Sequence, residues 1–394
     1  MPDSPTSTDL RLALRRSLLL FVAGLLALVL LGTTVTVTTD AAPVRPAKAK
    51  RLKQALDSAI AQTKAPGVIA GVWVGNRGWT AVRGSTVRGR TIRPTRSDHT
   101  RIGSVTKTFT GTLILKLVDR GKLRLDDTID RWFPAVPLAD QITISDLGTM
   151  SSGINTYTAN QSIVNRYLTH PRTVWNPLTL IAGGVDLPRK FAPGQGFFYS
   201  NTNFVMLGRI VEMVTGNPIA QVMRRRIFKP LKMRQTSYPY SLALPKPFWN
   251  GYTDQGATTA DPVLNSTHWS PTFESSAGQI VSTLGDMRRY TKALGNGSML
   301  KPSTQRARLV PNPFSMAGGR QYDFAIGKDH GWLTHVGEVP GYNTQIAYLP
   351  KKKATIVVLT NTDISNSDGS SPAPSLVSPL AAVVAPNHVP TGTS

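Results

Sequence analysis

Short runs of apolar and β-branched residues occur near both ends of the 394-residue chain. Between the first two runs, residues 76–78 (Asn-Arg-Gly) have the pattern of a hairpin turn. The last three of the five runs, at the C-terminal end, predict successive strands. The runs span 68–74, 79–82, 334–338, 344–349 and 354–360. Both ends of the chain are therefore expected to contribute to one antiparallel sheet.

Between these ends the apolar spacing changes to the period of an α-helix. Val105, Phe109 and Leu113 lie on one face of a predicted helix that ends near Gly121. Residues 122–240 have the pattern of further helices and loops, separated by Gly and Pro. The chain therefore predicts an α+β domain whose sheet is flanked by helices and interrupted by an inserted helical lobe.

The first 42 residues have the features of an export signal. Arg11, Arg15 and Arg16 precede an apolar run at 18–31, and small residues follow it, which predicts a signal peptide. Residues 17–39 carry no charge and are long enough to span a bilayer, so a retained membrane anchor stays open. Either interpretation predicts an exported protein, extracellular or held at the cell envelope.

Composition indicates the remaining boundaries. Residues 43–53 are rich in Pro, Ala, Lys and Arg and predict a basic linker. The main domain is expected at 54–362. Residues 363–394 form a predicted Ser/Pro-rich tail, with a short closing helix at 376–384 as one interpretation.

The chain carries 45 Lys and Arg against 22 Asp and Glu, a formal net charge of +23. This charge favours anionic partners, which for an exported protein are envelope polymers or lipids. A diffuse, solvated positive surface is the alternative. No nucleic-acid-binding motif occurs, so nucleic acid is not expected as a partner. The absence of cysteine excludes disulfides, thiolate metal sites and a cysteine nucleophile.

A Ser-x-x-Lys motif, Ser104 to Lys107, opens the predicted helix. A spacing of three places both side chains on one helical face, within reach of each other. A lysine whose pKa is lowered by burial can take the proton of a serine nucleophile. The motif alone is weak evidence, because a second copy, Ser298 to Lys301, occurs where no helix is predicted to begin.

Tyr199 and Asn201 follow a Pro-Gly-containing loop. A tyrosine near ammonium groups can accept the serine proton, and an asparagine can bind a substrate amide. A packed loop tyrosine beside a helix cap is the structural alternative.

His335 and Gly337 lie in a predicted strand. A small residue at 337 would let a substrate backbone lie against that strand. A nearby backbone N–H could form an oxyanion hole with that of Ser104. A histidine satisfied within a sheet is the alternative. No second His or carboxylate lies at ligand spacing, so neither a metal nor a cofactor is expected.

Together and in this order, these motifs resemble the serine β-lactamase-like family. That family includes class C β-lactamases, Streptomyces-type serine D-Ala-D-Ala carboxypeptidases and related esterases. The similarity covers about residues 50–362 and implies a β-lactamase/transpeptidase-like fold. The segments that carry it are 101–109, 117–123, 150–154, 199–204, 276–278 and 335–342.

The resemblance also implies roles for individual residues. Ser104 would be acylated, while Lys107 and Tyr199 would share the proton transfers. His335 would take the place of a lysine found in many relatives. The substrate-binding residues it implies are Asn201 for the amide, Glu338 for the second N–H of the oxyanion hole, and Gly337 and Phe273 beside them.

Departures from the family pattern affect the expected specificity. Val336 stands where the carboxypeptidases have a hydroxyl residue, and Pro340 stands where they have a polar one. Their arginine upstream of the histidine has no match here, and Lys328 is the nearest basic residue. In the family these groups help bind a peptide carboxylate, and losing one such donor typically costs about 1.5–3 kcal/mol.

We therefore expect an exported serine hydrolase that acts through a covalent acyl-enzyme. The first hypothesis is a D-alanyl-D-alanine carboxypeptidase-like, penicillin-binding enzyme acting on peptidoglycan-type peptides. The second is a β-lactamase-fold esterase acting on small esters. A catalytically inactive wall-binding protein is the alternative from a different class.

Overall fold

The computed structural model describes residues 41–391, and an eight-stranded sheet lies at its centre. The strands of this sheet are β1 (Ala42–Pro43), β2 (Gly67–Val74), β3 (Arg77–Gly84), β8 (Arg320–Asp323), β9 (Ile326–Asp329), β10 (Trp332–Val339), β11 (Tyr342–Leu349) and β12 (Ala354–Thr360). They run in the order β1-β3-β2-β12-β11-β10-β9-β8. Two short pairs complete the numbering: β4 (Thr100–Arg101) with β7 (Val281–Ser282), and β5 (Tyr252–Thr253) with β6 (Leu264–Asn265).

The two ends of the chain meet in the middle of the sheet. β2 and β12 are antiparallel, with Val68 opposite Thr360 and Val74 opposite Ala354. The predicted hairpin is β2–β3, and the three predicted late strands are β10, β11 and β12, all joined in antiparallel register. The α+β architecture with a sheet built from both chain ends is confirmed.

Helices cover both faces of the sheet and form the inserted lobe. Their bounds are α1 (Pro46–Ile60), α2 (Thr106–Val118), α3 (Ile144–Gly148), α4 (Gln161–Thr169), α5 (Pro177–Val185), α6 (Asn201–Thr215), α7 (Ile219–Met223), α8 (Ser275–Gly278), α9 (Leu284–Gly295), α10 (Pro302–Arg308) and α11 (Pro372–Val384). α1 and α11 pack together over one face of β12. α9 packs on the other face, where the Arg288 guanidinium lies 5.0 Å from the centre of the Trp73 ring.

Among residues 41–391, no helix is both long and apolar enough to cross a bilayer. The predicted signal or anchor at 17–39 lies outside the described residues.

The prediction of a basic linker at 43–53 is wrong. This segment enters α1, which begins at Pro46, a position where proline suits the first helical turn. Leu52 and Leu56 are four residues apart, so they share one helical face, and both are fully buried in the core. Composition indicated a linker, but these two leucines are enough to attach the helix to the sheet.

The predicted tail at 363–394 is part of the folded domain as far as the described residues extend. Helix α11 begins before the expected helix at 376–384, and its buried side chains join those of α1 in one core cluster. At its start, the backbone N–H of Ala373 donates to the side-chain oxygen of Asn343 at 2.9 Å. The closing helix is therefore confirmed, but it belongs to the core.

The chain remains attached to the domain beyond α11. Trp332 Nε1 donates to the carbonyl oxygen of His388 at 2.6 Å. Residues from Pro43 onward form one compact unit, which replaces the predicted boundaries of 54–362.

We expect Leu52→Ala to lower the free energy of unfolding by about 2–5 kcal/mol, because it leaves a cavity in a core that a linker would not touch. The exposed neighbour Gln54 offers a matched control, and Gln54→Ala should change stability by no more than about 0.5 kcal/mol. Urea unfolding of residues 43–394 measures both values. Equal, small effects would contradict the docked helix.

Candidate active site

The serine of the first Ser-x-x-Lys motif lies in a tight turn directly before α2. Gly103–Val105 form a 3₁₀ turn, and Gly103 has a φ of +50°, in the left-handed region that favours glycine. Ser104 and Lys107 lie one turn apart, and Lys107 Nζ donates to Ser104 Oγ at 2.8 Å. The structure brings the predicted pair into direct contact.

The Lys107 side chain is fully buried. Its ammonium makes a second hydrogen bond to the carbonyl oxygen of Ala277 at 3.0 Å. Burial lowers the pKa of Lys107 to about 7, although the Glu274 carboxylate acts in the opposite direction. A substantial fraction of Lys107 is therefore neutral near pH 7, and the neutral amine can accept the Ser104 proton.

Glu274 is a charged neighbour of Lys107 that was not among the predicted residues. Burial raises the pKa of Glu274, while the positive charges of Lys107 and Arg101 lower it. Its carboxylate favours the charged form of Lys107 and so limits how far the lysine pKa falls. The sequence signal was an acidic residue close before the Ser-Ala-Gly segment at 276–278.

Tyr199 lies beside both members of the Ser-Lys pair. The centre of its ring lies 4.9 Å from Lys107 Nζ. Withdrawal of the hydroxyl from water raises the pKa of Tyr199 well above its usual range, while the side chain of Ser104 acts on the hydroxyl in the opposite direction and lowers this pKa. The phenol is therefore neutral at neutral pH, which makes Lys107 the better proton acceptor in the resting site.

His335 lies on β10 and is buried. Its Nδ1 is 2.6 Å from the carbonyl oxygen of Val336, which can only accept, so Nδ1 carries the hydrogen. Nε2 then accepts from the Tyr322 hydroxyl at 3.3 Å. Burial, together with the charge of Lys107, lowers the pKa of His335 to about 3. The imidazole is neutral and does not supply the positive charge of the lysine it was expected to replace.

Two glycines allow β10 to approach the serine turn closely. A Cβ added to Gly103 would lie 2.6 Å from the backbone nitrogen of Glu338, and one added to Gly337 would lie 2.0 Å from the carbonyl oxygen of Ile102. The backbones of Ser104 and Glu338 therefore lie close together, as an oxyanion hole requires. Gly337 was expected to make room for a substrate, but the group it accommodates is Ile102.

A cavity of about 610 Å³ opens beside these residues. Its walls come from β8, β9, β10 and β11, from the loop before β8 and from the segment around Tyr199. Ser104, Tyr199, His335 and Glu338 all line it. Four of the eight predicted residues thus meet at one cavity, and Lys107 lies behind Ser104.

Asn201 is not among the residues that line this cavity. It begins α6, where its backbone N–H donates to Thr156 Oγ1 at 3.3 Å and its amide nitrogen donates to Thr158 Oγ1 at 3.4 Å. The predicted contact of Asn201 with a substrate amide stays a prediction.

Phe273 is not among the residues that line the cavity. Its ring is buried and stacks on Tyr167, with ring centres 3.8 Å apart, and it packs edge-on against Tyr157 and Trp175. This aromatic cluster supports the segment that carries Glu274 and Ala277. The role of Phe273 in the structure is therefore packing.

Several polar residues of the cavity were not predicted as binding residues. Gln345 is buried, and its amide nitrogen donates to Thr334 Oγ1 at 3.1 Å while its amide oxygen has no protein partner. Lys328 and Arg320 line the same wall from β9 and β8. Lys328 is the basic residue noted upstream of the histidine, whereas no local pattern indicated Arg320 or Gln345, because strand pairing brings them to the cavity.

The second Ser-x-x-Lys copy has no comparable geometry. Ser298 is exposed in the loop between α9 and α10, and Lys301 directly precedes α10. Its interpretation as a chance match is consistent with this position. In the part of the chain from 41 to 391, no cluster of three His, Cys, Asp or Glu residues could hold a metal ion.

The model of the family named Beta-lactamase matches residues 52–378. The chain belongs to the Beta-lactamase family. This match covers the sheet except β1, the helical lobe and every residue of the site described above, so the recognised family and its fold are confirmed.

Curated relatives carry related names. The chain is 29% identical over 279 residues to "Protein flp" of Staphylococcus aureus strain MW2, covering 66% of this chain and 52% of that one. It is 27% identical over 261 residues to the "Putative penicillin-binding protein PbpX" of Bacillus subtilis strain 168, covering 66% and 60%. The chain spans little more than half the length of these relatives.

Solved structures share the fold. A D-stereospecific amidohydrolase from Streptomyces superimposes with a TM-score of 0.75 and 27% identity, covering 88% of this chain and 99% of that one. A penicillin-binding protein from Bacillus halodurans has a TM-score of 0.72 and 22% identity, covering 84% and 99%. The chain is thus a β-lactamase-fold member of a family of serine hydrolases.

We expect the rate at which a fluorophosphonate labels Ser104 to rise between about pH 6 and pH 8 and then level off. Lys107 is protonated below its pKa of about 7 and neutral above it, and only the neutral amine accepts the serine proton. Intact-mass measurement at timed intervals gives the rate. Ser298→Ala is the control and should keep the profile. A rate that falls with rising pH would contradict this role of Lys107.

We expect Gly337→Ala to lower kcat/KM by about 100-fold or more, because the added methyl would collide with the Ile102 carbonyl and move β10 away from Ser104. Gly285→Ala is a suitable control, since the nearest atom to its added Cβ is 3.7 Å away. Steady-state kinetics with an ester substrate measures the effect. Unchanged kinetics in Gly337→Ala would contradict the close approach.

Proposed function

We propose that this protein is an acylating serine amidohydrolase that cleaves amide bonds next to D-amino acid residues, with D-alanyl-D-alanine peptides as first candidates. The observation that carries the proposal is the hydrogen bond between Lys107 and Ser104, beside which the centre of the Tyr199 ring lies 4.9 Å from Lys107 Nζ. The backbone of Glu338 lies on the other side of the serine turn. These are the parts that nucleophilic catalysis on a carbonyl needs.

The geometry suggests the order of proton transfers. Neutral Lys107 takes the proton of Ser104 as Oγ bonds to the substrate carbonyl carbon, and the developing oxyanion is held by the N–H groups of Ser104 and Glu338. When the C–N bond breaks, a proton passes through the Tyr199 hydroxyl to the leaving amine. Neutral Lys107 then takes a proton from a water molecule as that water attacks the ester carbonyl on Ser104, and it passes this proton to Oγ as the acyl C–O bond breaks.

The choice of substrate rests on the cavity and on similarity. Lys328 and Arg320 bring positive charge to the wall formed by β8 and β9, which suits a peptide carboxylate on the leaving side. The unpaired amide oxygen of Gln345 suits an N–H donor of the substrate. The similarity to a D-stereospecific amidohydrolase and to penicillin-binding proteins supports a D-amino acid residue at the scissile bond.

An esterase is the second candidate. Val336 lines the cavity at the position where the carboxypeptidases have a hydroxyl residue, so one expected donor to a carboxylate is replaced by an apolar side chain. An ester of a small acid needs no such donor. An inactive wall-binding protein would need none of the contacts around Ser104.

Export to the cell envelope completes the proposal. It rests on the basic and apolar order of residues 11–31 and on the peptide substrates proposed here.

Turnover of substrates separates these candidates. We expect a D-alanyl-D-alanine tripeptide to be cleaved at least about ten-fold faster than its L-alanyl-L-alanine isomer. Ser104→Ala should reduce the rate by about 1,000-fold or more. Released alanine is measured for the peptides and p-nitrophenol for p-nitrophenyl acetate. Cleavage of the ester alone would favour the esterase. No turnover of any substrate would contradict hydrolysis and favour the binding protein.

A further inference from the structure

A second cavity, larger than the catalytic one, lies between α1 and β3. Its volume is about 760 Å³, and we call it the cationic groove. Five basic side chains line it: Lys50, Lys53, Arg83, Arg93 and Arg96. The half-buried Trp79 forms part of its floor.

The groove carries an excess of positive charge. Two acidic side chains contact its lining: Asp57 pairs with Lys53 at 2.8 Å and with Arg83 at 2.7 Å, and Asp98 accepts from the backbone N–H of Thr95 at 3.0 Å. Five cations thus stand against two carboxylates around the groove. Part of the net charge of +23 therefore lies on this face.

A smaller cavity of about 310 Å³ continues the same charge along α1 and β3. It is lined by Arg45, Lys48 and Arg77 together with Val44 and Val74. Arginine forks and lysine ammonium groups beside an indole and small apolar side chains suit phosphate groups at an apolar boundary.

The position of the first residues of the folded unit indicates which partner the cationic groove binds. The carbonyl oxygen of Pro43 accepts from Arg77 Nη1 at 3.0 Å, and the backbone N–H of Val44 donates to the Gly78 carbonyl at 3.1 Å. Both contacts lie at the same edge of the sheet as the groove. In sequence, the uncharged stretch 17–39 ends only four residues before Pro43. In the sequence, the segment expected to enter a bilayer thus closely precedes the residues of this cationic edge.

We propose that the cationic groove binds the phosphate headgroups of anionic phospholipids and holds this edge of the domain against a membrane surface. Positive side chains near an anionic bilayer each contribute to binding, and the interaction weakens as salt is added. The binding is a property of the folded unit and adds to any contribution from residues 17–39.

This placement has a consequence for the catalytic cavity. β9 and β10, which line that cavity, lie four to five strand spacings from β3 in the sheet order, or about 20–24 Å. With the groove on the membrane, the catalytic cavity would lie toward the opposite end of the sheet from the lipid surface.

Vesicle cosedimentation tests the proposal. Residues 43–394 form one compact unit with a complete core, so this unit can be used without the uncharged stretch. The probes are phosphatidylcholine vesicles with and without phosphatidylglycerol. The test variant is Lys50→Glu with Arg93→Glu. The matched control is Arg224→Glu with Arg225→Glu, which changes the net charge equally on a different exposed cluster. Fluorophosphonate labelling checks that every variant is folded.

We expect the unit to bind only the vesicles that contain phosphatidylglycerol. The groove variant should bind at least about ten-fold more weakly, and the control should stay within about two-fold of the unaltered unit. Equal weakening of both variants would overturn the groove as the site. Absence of binding to either vesicle by the unaltered unit would overturn the proposal. So would binding to a soluble poly(glycerol phosphate) alone, which would identify a polymer as the partner.

Discussion

The removal of the Lys107 ammonium from water is the constraint on which the site depends. Lys107 is held by Ser104 and by the Ala277 carbonyl, and it lies in the interior of the domain. A lysine in water would be charged at neutral pH and could not act as a base. Core packing therefore lowers its pKa toward the range in which proton transfer is efficient, while the nearby Glu274 limits that shift. The packing of the core around Lys107 therefore also determines whether this lysine can act as a base.

The parts of the structure that surround Lys107 keep its side chain in place and away from water. The short pair β4–β7 joins the strand before Ser104 to the strand after Ala277. The aromatic cluster around Phe273 supports the segment between them. At the front, Gly103 allows β10 to reach the serine turn. A substitution that admits water at any of these points would raise the pKa of Lys107 and weaken the base.

Local patterns in the sequence could predict the strands and helices and the contact between Ser104 and Lys107. Long-range packing determined which other side chains reach the site. Ser104 and Lys107 were predictable because helical spacing alone brings them together. The directions of the Phe273 and Glu274 side chains were not predictable from a local pattern. The two residues are adjacent, yet only Glu274 affects the pKa of Lys107, while Phe273 packs in the aromatic cluster. At 43–53 the composition suggested a linker, whereas the spacing of two leucines determines a docked helix. Docking of α1 on β3 also creates the cationic groove, which no local pattern indicated.

The claim that a neutral lysine activates Ser104 can be tested most directly by mass. Residues 43–394, treated with a penicillin at pH 8, would be analysed intact and by peptide mapping, beside Lys107→Arg. The account predicts one adduct on the peptide that contains Ser104. It predicts none in the folded Lys107→Arg protein, because a guanidinium stays charged and cannot accept the proton. An adduct that forms equally in both proteins, or on another residue, would contradict it.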